Sequence, residues 1–132
     1  MSREDFNYSS ILVKDIMTTA LISVNPTTTT FQIAKMMDQG GIGAIIVKDN
    51  DDPVGIITDR DFAVKIAANK LPLDTPVEET MSSPIVTINH NESISAAAKR
   101  MINKKIRKLA VSENGKIIGI ITSTDLVKQL VK

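Results

Sequence analysis

The sequence predicts an α/β fold, an α+β sandwich in which two pseudo-symmetric β-α-β-β-α repeats pack sheet to sheet as one module. Two observations carry this. The first is an internal repeat: Val13, Met17, Asn25, Ala34, Lys35, Met37, Ile42, Val47 and Asn50 return as Val77, Met81, Asn89, Ala98, Lys99, Met101, Ile106, Val111 and Asn114. The offset is a constant 64 positions, as from Met17 to Met81, and Gly55-Ile56-Ile57-Thr58-x-x-Asp61 returns as Gly119-Ile120-Ile121-Thr122-x-x-Asp125. A period of that length denotes one supersecondary unit duplicated once. The second is that the hydrophobic pattern passes from strand to helix to strand pair to helix, in the same order, in both halves. Two such units meeting face to face would leave a pseudo-two-fold cleft between them.

Taken in order, residues 1–10 are polar and read as a loosely docked N-terminal segment, and 11–17 suit a short lead-in turn of helix. Residues 21–24 read as a strand that Asn25-Pro26 breaks. Phe31, Ile33, Ala34, Met36 and Met37 form a helical stripe over 27–39, terminated by Gly40-Gly41. A buried strand at 44–47, a turn at 49–52, a strand at 54–57 and a helix at 59–68 complete the half. In the second half, 85–88 is a strand, and Ile94, Ala97, Ala98, Met101 and Ile102 keep the spacing of one helix face. Strands at 109–111 and 117–121 flank Asn114-Gly115, a strong hairpin signal. Leu126, Val127, Leu130 and Val131 give the closing helix its apolar face. Repeat 1 thus spans 11–69, a connector with Pro72 and Pro76 spans 70–76, and repeat 2 spans 77–132.

The composition, 42% hydrophobic and 23% charged over 132 residues, is that of an ordinary soluble globular protein. One half alone is near the size that buries only about 60% of its unfolded surface, so the halves are expected to share a core. Sixteen Lys+Arg against 15 Asp+Glu leave a net charge of +1, which argues against a generic nucleic-acid or membrane-surface binder. With no cysteine, disulfides and thiolate metal sites are excluded, and the single His90 rules out a multi-histidine zinc site within one chain. No apolar stretch is long enough to span a bilayer, and the first residues lack the apolar core of a signal peptide. A cytoplasmic protein is expected.

Two in-register copies of β-α-β-β-α, each ending in Gly-hydrophobic-hydrophobic-Thr-x-x-Asp, resemble a tandem CBS-domain pair, or Bateman module, over residues 11–132. Each half also opens on a family-like segment, from Val13 to Thr18 and from Val77 to Ser82. The run from Ile106 to Val111 is similar to the family's pre-strand pattern, with Ala110 where proline often stands. The resemblance implies a non-catalytic, regulatory module that binds an adenosyl compound: AMP, ADP or ATP first, S-adenosylmethionine or NAD next. It implies no obligatory cofactor and no metal. Because the sequence stops directly after the second closing helix, the resemblance is to a stand-alone prokaryotic CBS-domain protein, expected to act in trans on an unknown regulated partner or as a ligand buffer. It further implies a homodimer, with Phe62, Ile66, Leu126 and Leu130 of the closing helices as contributing apolar positions.

Thr58 ends a strand and Asp61 falls in the first turn of the next helix, where unpaired amides and partial positive charge suit phosphate. A carboxylate there can accept two hydrogen bonds from a ribose diol, as the acid of a dinucleotide fold does. The same Thr-x-x-Asp is also a helix capping box, worth about 0.5–2 kcal/mol, and both roles stay open. By resemblance each slot forms across the pseudo-two-fold. Thr58 and Asp61 would join Ser82, Ser83, Ile106, Arg107 and Lys108, and Thr122 and Asp125 would join Thr18, Thr19, Ile42, Gly43 and Ala44. Arg60 is a further candidate, or an exposed helix-start arginine. With 3% aromatic residues, adenine would lie between aliphatic side chains, although Ile42 and Ile106 equally suit core packing.

Lys104, Lys105, Arg107 and Lys108 form a basic cluster, either a solvated face or a phosphate clamp led by the bidentate guanidinium of Arg107. The first repeat has no cation at the matching places. Unequal clefts are therefore expected, with phosphorylated ligands preferring the one that holds Asp61. Met36, Met37 and Met101 read as core, Met17 and Met81 as neighbours of the slots, and His90 as an ordinary exposed residue. The alternative function is a structural or dimerisation module with no bound nucleotide. Catalysis ranks behind both, since no cysteine, no histidine–nucleophile pair and no carboxylate pair with an evident pocket is in view. Nucleic-acid binding ranks last, given the charge and the few aromatics.

Overall fold

The computed structural model describes residues 10–131. The N-terminal segment expected at 1–10 lies, but for Ser10, outside the described residues. In chain order the elements are α1 (Val13–Ile16), β1 (Ser23–Val24), α2 (Thr30–Gly40), β2 (Ala44–Asp49), β3 (Asp52–Thr58) and α3 (Asp59–Asp61). α3 runs on as a π-helical stretch, Phe62–Ala67. A 3₁₀ turn at Val77–Glu79, β4 (Thr87–Asn89), α4 (Ile94–Lys104), β5 (Lys108–Glu113), β6 (Lys116–Thr122) and α5 (Ser123–Lys128) follow. The class is mixed α/β, with two three-stranded sheets of order β1-β2-β3 and β4-β5-β6. In each, a parallel pair joined through a helix is followed by an antiparallel hairpin.

The chain divides into two compact units whose limits differ from those of the sequence repeats. A central unit is Ile22–Ile85, and a split unit joins Met1–Leu21 to Val86–Lys132. Each unit takes its sheet from one repeat and its leading segment from the other. In the split unit, Val13 N donates to Glu92 O and Lys14 N to His90 O, at 2.8 and 2.9 Å. In the central unit, Val77 N donates to Thr28 O and Glu78 N to Pro26 O, at 2.8 and 3.1 Å. Val13 and Val77 are buried in the respective cores, one with Ile88, Ile94, Ala97, Leu109 and Ile121, the other with Ile33, Ile45, Val47 and Ile57.

Glycine sits in the Gly-Ile-Ile-Thr run because the leading segment crosses β3 and β6 there. A Cβ on Gly55 would strike the Met81 sulfur and lie 2.7 Å from its Cγ, and one on Gly119 would lie 2.8 Å from both Met17 Sδ and the Thr18 carbonyl oxygen. Met17 and Met81 thus pack against the glycines of the units they enter. Met101 is core, as the periodicity predicts, and Met36 and Met37 pack partly buried against the central core.

Several boundaries differ from the sequence expectation for local reasons. α2 begins at Thr30 rather than at 27 because Asn25 Oδ1 accepts from Thr27 N, Thr27 Oγ1 and Thr28 Oγ1, holding that stretch as a turn. Thr29 then caps the helix, accepting from Gln32 N at 3.2 Å. Gly41 ends it with φ +62°, as the Gly-Gly pair predicts, while Lys105 ends α4 in the same left-handed conformation without a glycine. His90 is not fully exposed: its side chain retains 21% exposure and its Nε2 lies 3.7 Å from Glu113 Oε1. No helix among the described residues is long and apolar enough to cross a membrane.

Candidate functional site

β3 delivers Thr58, and α3 starts at once, so Asp61 stands three residues into a helix whose first amides lack intrahelical partners. Thr58 Oγ1 accepts from Asp61 N at 3.4 Å and donates to Asp61 Oδ2 at 3.1 Å, and Thr58 N donates to the same Oδ2 at 2.8 Å. The capping box foreseen in the sequence is therefore formed. It forms again in the split unit, where Thr122 N donates to Asp125 Oδ2 at 2.8 Å and Asp125 N to Thr122 Oγ1 at 3.2 Å.

The leading segments bring in the next group. In the central unit Ser82 pairs with Ile56 through Ser82 N to Ile56 O and Ile56 N to Ser82 O, at 2.8 and 3.0 Å. This sets Ser82 Oγ 3.1 Å from Asp61 Oδ1, as its donor. In the split unit Thr18 pairs with Ile120 in the same way, both bonds being 2.9 Å. Thr18, Thr19 and Ser83 are exposed, and Ser82 is half-buried.

Within each unit the strand register sets further residues beside the threonine. Ala44 lies opposite Thr58, and Asp59 N donates to Gly43 O at 3.2 Å. Lys108 lies opposite Thr122, and Ser123 N donates to Arg107 O at 2.8 Å. Gly43 and Ala44 are thus beside Thr58, and Arg107 and Lys108 beside Thr122. Ile42 and Ile106 are half-buried and pack against the cores of their units, so the packing role foreseen for them is real. Arg60 and Arg107 expose their side chains, as do Lys104 and Lys105.

The two acids differ sharply. Asp61 is 5% exposed and its two oxygens receive four donors: Thr58 N, Thr58 Oγ1, Ser82 Oγ and the ammonium of Lys65, 3.2 Å from Oδ1. Asp125 is half-buried and, among the described residues, receives only Thr122 N. Lys65 is the residue that the repeat does not disclose. Its counterpart one period on is Gln129, and its only local signal is the i, i+4 spacing from Asp61 that favours an acid–base pair on a helix.

Comparison with known proteins sets this geometry in context. The CBS domain pattern matches residues 13–68 and again 77–132. An uncharacterised protein of Methanopyrus kandleri is 37% identical over 122 residues, 90% of this chain, which spans 62% of that protein's length. The crystal structure of an uncharacterised conserved protein from Pyrococcus horikoshii aligns over 96% of both chains with a TM-score of 0.90 at 28% identity. A CBS domain pair crystallised in complex with 5′-methylthioadenosine and S-adenosyl-L-methionine aligns over 91% of this chain and 95% of its own, with a TM-score of 0.80 at 27% identity. The double match, covering nearly all of the described residues, settles the family: the chain belongs to the CBS domain family and carries a pair of CBS domains.

Proposed function

We propose that this CBS pair is a regulatory sensor of an adenosyl compound, acting by binding and not by catalysis, and passing the bound state to a partner protein. One observation carries the reading. Asp125 stands at a strand-to-helix turn with one carboxylate oxygen that receives no hydrogen bond among the described residues, beside Thr122, the Arg107–Lys108 backbone and, across β6, the Thr18 bridge. A ribose diol needs such an acceptor, and the exposed Arg107, whose carbonyl receives Ser123 N, is the cation in that stretch suited to a phosphate. AMP, ADP and ATP match that set, and 5′-methylthioadenosine or S-adenosylmethionine would use the diol alone. Support comes also from the adenosyl ligands held by a structural neighbour.

The same reading includes a homodimer. Of the four apolar positions expected to build it, Ile66 is buried and Phe62 and Leu126 pack against the cores, leaving Leu130 at 65% exposure. Ile102, Val127 and Val131 are also exposed in the split unit. The structural alternative, slots without nucleotide, is favoured by one fact: both Asp61 and Asp125 serve as helix caps.

A thermal-shift panel of AMP, ADP, ATP, S-adenosylmethionine, 5′-methylthioadenosine and NAD separates the two. Ligand at 100 times its Kd adds about 2.7 kcal/mol. A rise of several degrees with at least one compound supports the sensor. Unchanged melting with all of them at millimolar concentration establishes the structural reading instead.

A further inference from the structure

We infer that the two half-sites are functionally unequal: Lys65 latches the Asp61 half shut, and an adenosyl ligand is taken only at Asp125. The inference rests on the adenosyl reading above and reverses the preference that charge alone suggests. The Lys65 ammonium lies among four oxygens of the central unit, Asp61 Oδ1 at 3.2 Å, Ser82 Oγ and Thr80 O at 3.1 Å, and Met81 O at 3.4 Å. It ties the leading segment, through Thr80 to Ser82, to the acid at the head of the closing helix. A carboxylate has about four acceptor positions. At Asp61 the Thr58 amide, Thr58 hydroxyl, Ser82 hydroxyl and Lys65 ammonium use them all. A ligand diol can reach Asp61 only by displacing the serine and the lysine.

Among the described residues the split unit lacks the device at each place. Gln129 stands one period after Lys65, and among the described residues it is held only by its backbone, with Gln129 N donating to Leu126 O at 3.1 Å. Thr18 stands one period before Ser82, and no hydrogen bond joins its hydroxyl to Asp125 among the described residues. The closing helices differ as well, π-helical over Phe62–Ala67 and α-helical over Ser123–Lys128. The Lys65 side chain keeps 38% exposure, so the latch opens toward water without unpacking the core.

Titration calorimetry with AMP and with 5′-methylthioadenosine tests this on the whole chain. The native chain is expected to bind one ligand per chain, lost in Asp125→Asn and kept in Asp61→Asn. Lys65→Gln, which copies Gln129, is expected to bind two, and adding Asp61→Asn to it returns the count to one. Because Lys65→Gln also removes a stabilising contact, the reciprocal Gln129→Lys is run beside it. Installing the latch at Asp125 is expected to weaken binding about tenfold to a hundredfold, the weight of a charged hydrogen bond. Two equal sites in the native chain, or binding that needs Asp61 there, overturns the inference. So does a folded Lys65→Gln that still binds one. Absence of binding in both the native chain and Lys65→Gln refutes the adenosyl reading itself, a different and recognisable failure.

Discussion

Replacing Gly119 by alanine tests how the leading segments are seated. The added Cβ would lie 2.8 Å from Met17 Sδ and 2.8 Å from the Thr18 carbonyl oxygen. The sulfur can rotate away, but the carbonyl cannot, because Thr18 is pinned by two 2.9 Å hydrogen bonds to Ile120. Overpacking of this kind costs about 1–3 kcal/mol, and weakening two backbone bonds adds roughly 1 kcal/mol each. Alanine returns about 0.5–1 kcal/mol through its lower conformational freedom in the unfolded chain. The balance is a loss of about 2–4 kcal/mol, or on the order of 10 °C in Tm for a chain this size. At Gly55 the three atoms nearest an added Cβ all belong to the Met81 side chain, so Gly55→Ala is expected to cost less than Gly119→Ala, about 1–3 kcal/mol. Circular dichroism melts of Gly55→Ala, Gly119→Ala and the doubles with Met81→Ala and Met17→Ala measure the couplings. Met81→Ala should relieve most of the Gly55→Ala strain, and Met17→Ala little of the Gly119→Ala strain. If Gly55→Ala proves as harmful as Gly119→Ala, the seating described here is wrong.

Other substitutions probe separate parts of the account. Thr30→Val should cost about 1 kcal/mol in urea denaturation, since the buried Thr30 hydroxyl donates to Thr75 O at 2.8 Å while the Thr30 amide keeps the same oxygen occupied. Ile33→Ala, at a fully buried site, should cost about 2–5 kcal/mol, whereas a change near zero would show that the central core is drawn wrongly. Light scattering at tens of micromolar should return about twice the 14.4 kDa chain mass, and the single-chain mass counts against the dimer. Charged substitutions at Ile102 and Leu130 should reduce that mass to the monomer if their exposed surface is the one covered.

The fold was legible where the chemistry is local. Asn114-Gly115 forms the hairpin turn, Gly41 caps α2, and of the helix face expected from Ile94 to Ile102, Ile94, Ala97 and Met101 are buried while Ile102 is 73% exposed. The capping boxes at Thr58 and Thr122 were readable from spacing alone. What spacing does not carry is the partner across the chain. Gly55 and Met81 recur in both repeats, but that one makes room for the other depends on a contact between residues far apart in sequence. The same holds for the leading segments, whose repeat membership and unit membership differ. Lys65 escapes a search for repeated positions because its counterpart is Gln129, and the inequality of the acids resides in that mismatch.

The central claim, that a ribose diol is read by a Thr-x-x-Asp carboxylate, is tested most directly by removing the diol from the ligand while leaving the protein intact. The affinity of AMP should be compared calorimetrically with that of its 2′-deoxy and 2′,3′-dideoxy counterparts. Loss of a hydrogen bond to a charged group predicts about a tenfold to hundredfold weaker Kd for each hydroxyl that reaches the acid. Equal affinity for all three nucleotides would contradict the account.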